Sequence, residues 1–155
     1  MISAKVSGIP ELKAALAGLV PKLRRQALRN ALAAGARVVR DEARRRAPVL
    51  QPTLRAPYRK PGTVRKAVTV RTSKVARRAG DVGVFVNVRP AKPGQRGAKS
   101  PNDPFYWRFL EFGTSKMAAR PFLQAGARKL TDALAAFKKL IGPQIDKMNR
   151  KGGTK

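Results

Sequence analysis

Five of the nine aromatic residues of this 155-residue chain fall within eight positions, Phe105 to Phe112. No other feature narrows the fold as much, because so apolar a segment has to be buried in a core or in a subunit interface. Asp103 suits a helix cap, Pro104 a first helical position, and Gly113 the left-handed residue after a last turn, so the spacing predicts one short aromatic helix. Arg108 and Glu111 are its only charges and lie three residues apart, close enough to pair. In such surroundings Glu111 needs a partner: Arg108, Arg120 or an arginine of a neighbouring subunit.

Upstream, alternation over Ile2–Val6 predicts a short strand that Gly8 ends. Pro10 opens a helix through Leu19, and Pro21 opens a second that runs to Arg46. On the second, Leu23, Ala27, Leu28, Ala31, Leu32, Gly35, Val38 and Val39 form an apolar stripe. Arg24, Arg25, Arg29, Arg37, Arg40, Arg44, Arg45 and Arg46 lie largely off it. Such a face is either a solvated surface or a partner surface. The 35 Lys and Arg against 8 Asp and Glu, a net charge of +27, favour a polyanionic or acidic partner.

Four prolines between residues 47 and 63 predict an extended loop, in which Arg55, Tyr58, Arg59 and Lys60 form a basic arm or a solvated stretch. Two valine-rich strands follow, one over Val64, Val68 and Val70 and one over Val82 to Val88. Ser73 to Asp81 links them as a wide basic turn, giving an antiparallel hairpin. A second loop, Arg89 to Asn102, looks like a phosphate-binding loop, but Pro93 and Ala98 stand where that motif requires glycine. From Pro121 a last helix carries Leu123, Ala127, Leu130, Leu134, Phe137 and Ile141 as a seam for an internal core or for another chain, and Pro143 is expected to kink or end it. The length suits one domain, 1–148, with 149–155 as a flexible basic tail.

The chain has no Cys and no His, which excludes disulfides, thiolate or imidazole metal sites and every nucleophile–His pair. Its eight acids form no catalytic constellation, and Thr114-Ser115-Lys116 reads as a turn, so neither an enzyme nor a cofactor is expected. Trp107 and Tyr58 are the candidates for base stacking, a role that the density of phenylalanine argues against. With no basic segment and apolar run at its start, and no stretch of membrane-spanning length, the chain is expected in a cytoplasm or in a particle assembled there.

The string from Tyr106 to Leu123, aromatic-x-x-Phe-x-Glu-Phe-Gly-Thr followed by Arg-Pro-Phe-Leu, resembles a signature of long-tailed bacteriophage neck and minor tail proteins. This is the tail-completion family, similar to the lambda-type minor tail protein Z. The matching positions are Tyr106, Phe109, Glu111, Phe112, Gly113, Thr114, Arg120, Pro121 and Phe122. Gly62 to Val68 is similar to the family's Gly-x-Leu-Arg-x-Ser-Ile segment, with Val64 in place of Leu and Ala67 in place of Ser. The resemblance implies an α+β fold, a small antiparallel sheet flanked by an N-terminal helical pair and a long C-terminal helix. It also implies a structural virion protein of the head-to-tail junction, acting in tail completion and head-tail joining as a ring subunit, a hexamer, around the DNA channel. The partners implied are head-closure, tail terminator and tail tube proteins and packaged DNA, assembled in the host bacterial cytoplasm without a membrane. The arginines of the long helix, with Arg55, Arg59 and Lys60, are the candidate DNA or partner contacts. The alternative is an accessory protein that binds nucleic acid without sequence preference.

Overall fold

The computed structural model describes residues 9–17, 19, 21–49 and 59–152. The strand expected at Ile2–Val6, the candidates Arg55 and Tyr58, and residues 153–155 lie outside them. In chain order the elements are α1 (Ile9–Ala17), α2 (Pro21–Arg46), α3 (Thr63–Ala67), β1 (Val68–Thr72), α4 (Lys74–Arg78), β2 (Val84–Val88), α5 (Trp107–Phe112), α6 (Leu123–Ala127) and α7 (Leu130–Gly152). The class is α+β: N-terminal helices, a two-stranded antiparallel sheet and a long C-terminal helix. The residues gather into two compact units. Of the described residues, one unit comprises those up to Val38, Val70–Phe85 and those from Lys129, and the other comprises those of 39–69 and Val86–Arg128.

The first unit is helical packing around small residues. Ala27, Ala31 and Gly35 recur every four positions on α2 and are all buried, so α7 can approach the helix backbone closely. A Cβ on Gly35 would stand 2.6 Å from the Ala133 carbonyl oxygen. Leu16, Leu19, Ile141, Ile145 and Met148 complete the core, with Leu12, Leu23, Leu28 and Phe137 against it. Pro143 neither ends α7 nor interrupts it. A mid-helix proline costs about 3 kcal/mol, whereas burying Ile145 and Met148 beyond it returns roughly 1.5–3 kcal/mol each.

The second unit buries Ala43 of α2 and Ala47 just after it, Val64, Val68, Val88, Tyr106, Leu110 and Phe122. Val64, expected on a strand, sits instead on the helical turn α3, for which Gly62 at φ 73° supplies the left-handed entry. The hydrogen bonds Ser73 N–H to Gly83 O and Arg89 N–H to Ala67 O bracket the ladder, placing Val68 opposite Val88 and Thr69 opposite Asn87. Valines therefore share one face of the hairpin, and Thr69 and Asn87 lie on the other. The expected wide turn contains α4, whose first turn Ser73 caps by accepting from Ala76 N–H at 3.1 Å. The single last helix expected from Pro121 is two, α6 and α7. Gly126 of α6 lies against the Val39 carbonyl and Ala43 in one core, while Phe137 and Ile141 of α7 serve the other.

Candidate functional site

The aromatic segment and the Arg-Pro-Phe-Leu segment form one closed clasp. Glu111, 7% exposed, is the last residue of α5 but one and its last inward one. Its carboxylate accepts the backbone N–H groups of Phe122 (2.8 Å), Leu123 (2.9 Å) and Gln124 (2.9 Å). These are the donors that the start of a helix leaves unpaired, and no side chain at the start of α6 caps them. Glu111 thus caps α6 from eleven residues back, with negative charge at the positive end of the helix. The expected ion pair with Arg108 or Arg120 does not form: three amide donors meet the carboxylate's demand without the cost of burying a guanidinium. Arg108 stacks on the Trp107 ring at 5.5 Å, and Arg120 is exposed.

Between the two halves Gly113 turns at φ 76°, where an added Cβ would lie 2.8 Å from the Ala119 nitrogen. Thr114 and Met117 then exchange backbone hydrogen bonds, leaving Ser115 and Lys116 at an exposed tip. Arg120 N–H returns to the Leu110 carbonyl at 2.7 Å, and Phe122, fully buried, closes the clasp after Pro121. The aromatic cluster is only partly core. A six-residue helix can bury one face, and that face carries Leu110 and Glu111, with Tyr106 buried just ahead of it. Phe109 and Phe112 of the signature remain 49% and 74% exposed. Asp103, expected as the cap of α5, is buried and instead accepts Gly97 N–H at 2.8 Å, tying down the loop 89–102.

The cationic candidates separate by what they touch. Arg24 donates to the Ala17 and Leu19 carbonyls and closes the end of α1. Arg44 donates to the Val68 carbonyl at 3.0 Å. Arg59 lies over the Phe105 and Tyr106 rings at 5.2 and 5.0 Å and reaches the Ala98 carbonyl. Arg40 pairs with Asp41, while Arg45 and Arg46 both hold Glu42. The hydrogen bond from Arg45, then that from Arg46, holds the Glu42 carboxyl below the usual carboxylate value. Burial pushes the Tyr106 phenol above its ordinary value, against the opposing charge of Arg59. Lys60 is exposed. Arg25, Arg29 and Arg37 are exposed and have no acid or acceptor partner among the described residues.

Arg25 and Arg29 line one side of a depression of about 710 Å³ together with Pro21, Lys22 and Gln26. Thr72, Arg77, Asp81 and Val82 line the other. Lys22 and Arg77 escaped the sequence reading as contact residues. Their signals were a lysine in register with Arg25 and Arg29 on one helical face, and the basic character of the turn between the strands. Among the described residues no three His, Cys, Asp or Glu side chains gather to hold a metal, and no helix is long and apolar enough to cross a membrane.

Residues 11–113 match the family model described as "Bacteriophage HK97-gp10, putative tail-component". No curated protein and no solved structure matches the chain.

Proposed function

The chain belongs to the HK97 gp10-like family of bacteriophage tail components, and from that premise we propose that it is a non-enzymatic structural protein of the virion's head-to-tail junction. It acts there in tail completion and head-tail joining, as the resemblance of the Tyr106–Leu123 string to the lambda-type minor tail protein Z suggests, and works as one domain in a ring around the DNA channel. Head-to-tail contacts in a ring are heterologous, so the subunit presents two different surfaces. The observation that carries this reading is the family match from residue 11 to residue 113, which ends on Gly113 inside the clasp. The clasp supports it, because its residues are spent on positioning backbone: Glu111 is buried and its carboxylate accepts three backbone amides, so it is not presented to a substrate.

Two features supply candidate surfaces. Phe109 and Phe112 leave apolar area exposed on α5. The loop 89–102 is pinned through Asp103, Arg59 and Thr63 and so presents a defined shape to a tail or neck neighbour. Labelling this subunit in intact virions and imaging the neck by electron microscopy tests the reading. Density for a ring at the junction is expected, and label confined to the capsid or the tail tip would refute it. The second reading, a nucleic-acid-binding accessory protein, is favoured by the unpartnered Arg25, Arg29 and Arg37. A purified chain that stays monomeric and is missing from mature virions would support that one instead.

A further inference from the structure

We propose that the depression between the first turns of α2 and the hairpin turn is a binding site for the phosphodiester backbone of duplex DNA, made by Lys22, Arg25, Arg29 and Arg77. The site belongs to the single subunit and does not rest on the ring. Four cations and one acid, Asp81, line it, a local balance of 4 − 1 = +3. None of the four cations has an acid partner among the described residues, in a chain where Arg40, Arg45, Arg46 and Lys129 do find one. Unpaired like charges around one concavity repel each other and are relieved by a bound polyanion.

The arrangement has the reach of a strand of nucleic acid. Lys22, Arg25, Gln26 and Arg29 occupy positions i, i+3, i+4 and i+7 of α2 and so share a face, opposite Ala27 and Ala31 in the core. They extend over about 10 Å of helix, a length along which a duplex carries roughly six phosphate charges. Gln26 and Thr72 add neutral donors, and α2 begins at Pro21 on the same depression, so the positive end of a 26-residue helix contributes to the field. The lining distinguishes DNA from an acidic protein. Protein interfaces centre on buried aromatic or aliphatic anchors, whereas here the apolar lining is Pro21 and Val82 and the rest is charged or polar. No aromatic side chain lines the depression to stack on a base, and four cations against one acid match phosphate charge, so the contact is assigned to the backbone.

The test is fluorescence anisotropy of a labelled 20-base-pair duplex titrated with the full chain at several salt concentrations. Wild type is compared with Arg25→Gln/Arg29→Gln/Arg77→Gln. A control, Arg89→Gln/Lys92→Gln/Lys99→Gln, removes the same charge from another surface. All six side chains are exposed, so circular dichroism is expected to show both variants folded. The site variant should lower the salt slope of log K by about 2–3 and weaken binding at least tenfold at low salt; the control should do neither to that degree. Equal losses in the two variants would reduce the effect to net charge and overturn the proposal. So would unchanged DNA binding by the site variant together with lost binding to poly-glutamate, which would place a protein surface in the depression. Either result leaves the virion location untouched, because imaging of the neck reads that separately.

Discussion

Glu111 behaves differently from a carboxylate in an ion pair, because its three donors belong to the backbone and cannot be lost by a side-chain rotation. Replacing it with alanine takes the acceptor from three amides, one buried and two part-buried, so Glu111→Ala should lower the unfolding free energy by about 2–4 kcal/mol. Glu111→Gln should cost less but still be measurable, since its NH2 group would face a donor: Gln124 N–H where the carbonyl keeps Phe122 and Leu123, or those two where it keeps Gln124. Urea denaturation reads both, and a loss below about 0.5 kcal/mol for the alanine variant would mean the amides find other acceptors. The need for a partner at Glu111 was legible in the sequence, but its identity was not, because arginine is the habitual answer to a buried acid. The missing clue was an absence: from Lys116 to Leu123 there is no Ser, Thr, Asp or Asn to cap the helix that Pro121 introduces. A different habit, reading Asp before Pro as a helix cap, misassigned Asp103, which supplies its oxygen to a loop six residues behind it.

Among the elements, α2 was readable to its ends, since Pro21, a continuous apolar stripe and three arginines in the last turn all mark the same helix. Short elements were less so. A valine at position 64 suits a strand, yet the left-handed Gly62 starts a helical turn that delivers Val64 to the core. The apolar spacing from Leu123 to Ile141 reads as one helix because periodicity does not report which core each turn faces. Gly35 gives a sharp test of the close approach of α2 and α7. In an isolated helix Gly→Ala stabilises by about 1 kcal/mol, but here the new methyl would lie 2.6 Å from a backbone oxygen that cannot swing aside. Steric cost should win, and Gly35→Ala should destabilise by roughly 1–3 kcal/mol in thermal unfolding. A raised melting temperature would show that the helices part without loss.

For the whole molecule, a chain of +27 with neither His nor Cys keeps its side-chain charge fixed through the neutral range. Thermal midpoints should therefore be flat across neutral pH and fall on both sides. On the acid side Glu42 has a folded value below its unfolded one, so its contribution is present above the unfolded carboxylate value and lost as pH falls through the folded one. On the alkaline side Tyr106 is raised, so its contribution is present below the ordinary phenol value and lost as pH rises through the folded one. A midpoint that moves steeply between pH 6 and 8 would contradict this. The α+β class and the phage tail family were visible from the sequence because both rest on long patterns. The cationic depression was not, since Arg77 and Lys22 are more than fifty residues apart and only folding brings them to one place. The clasp also has a practical use. Its hydrogen bonds join residues 110 and 111 to residues 120–124, and the Thr114–Met117 turn projects outside that closure. Ser115 and Lys116 are therefore where an epitope or fluorophore can be spliced into the chain without prising the closure apart, a handle for finding the subunit in an assembled particle.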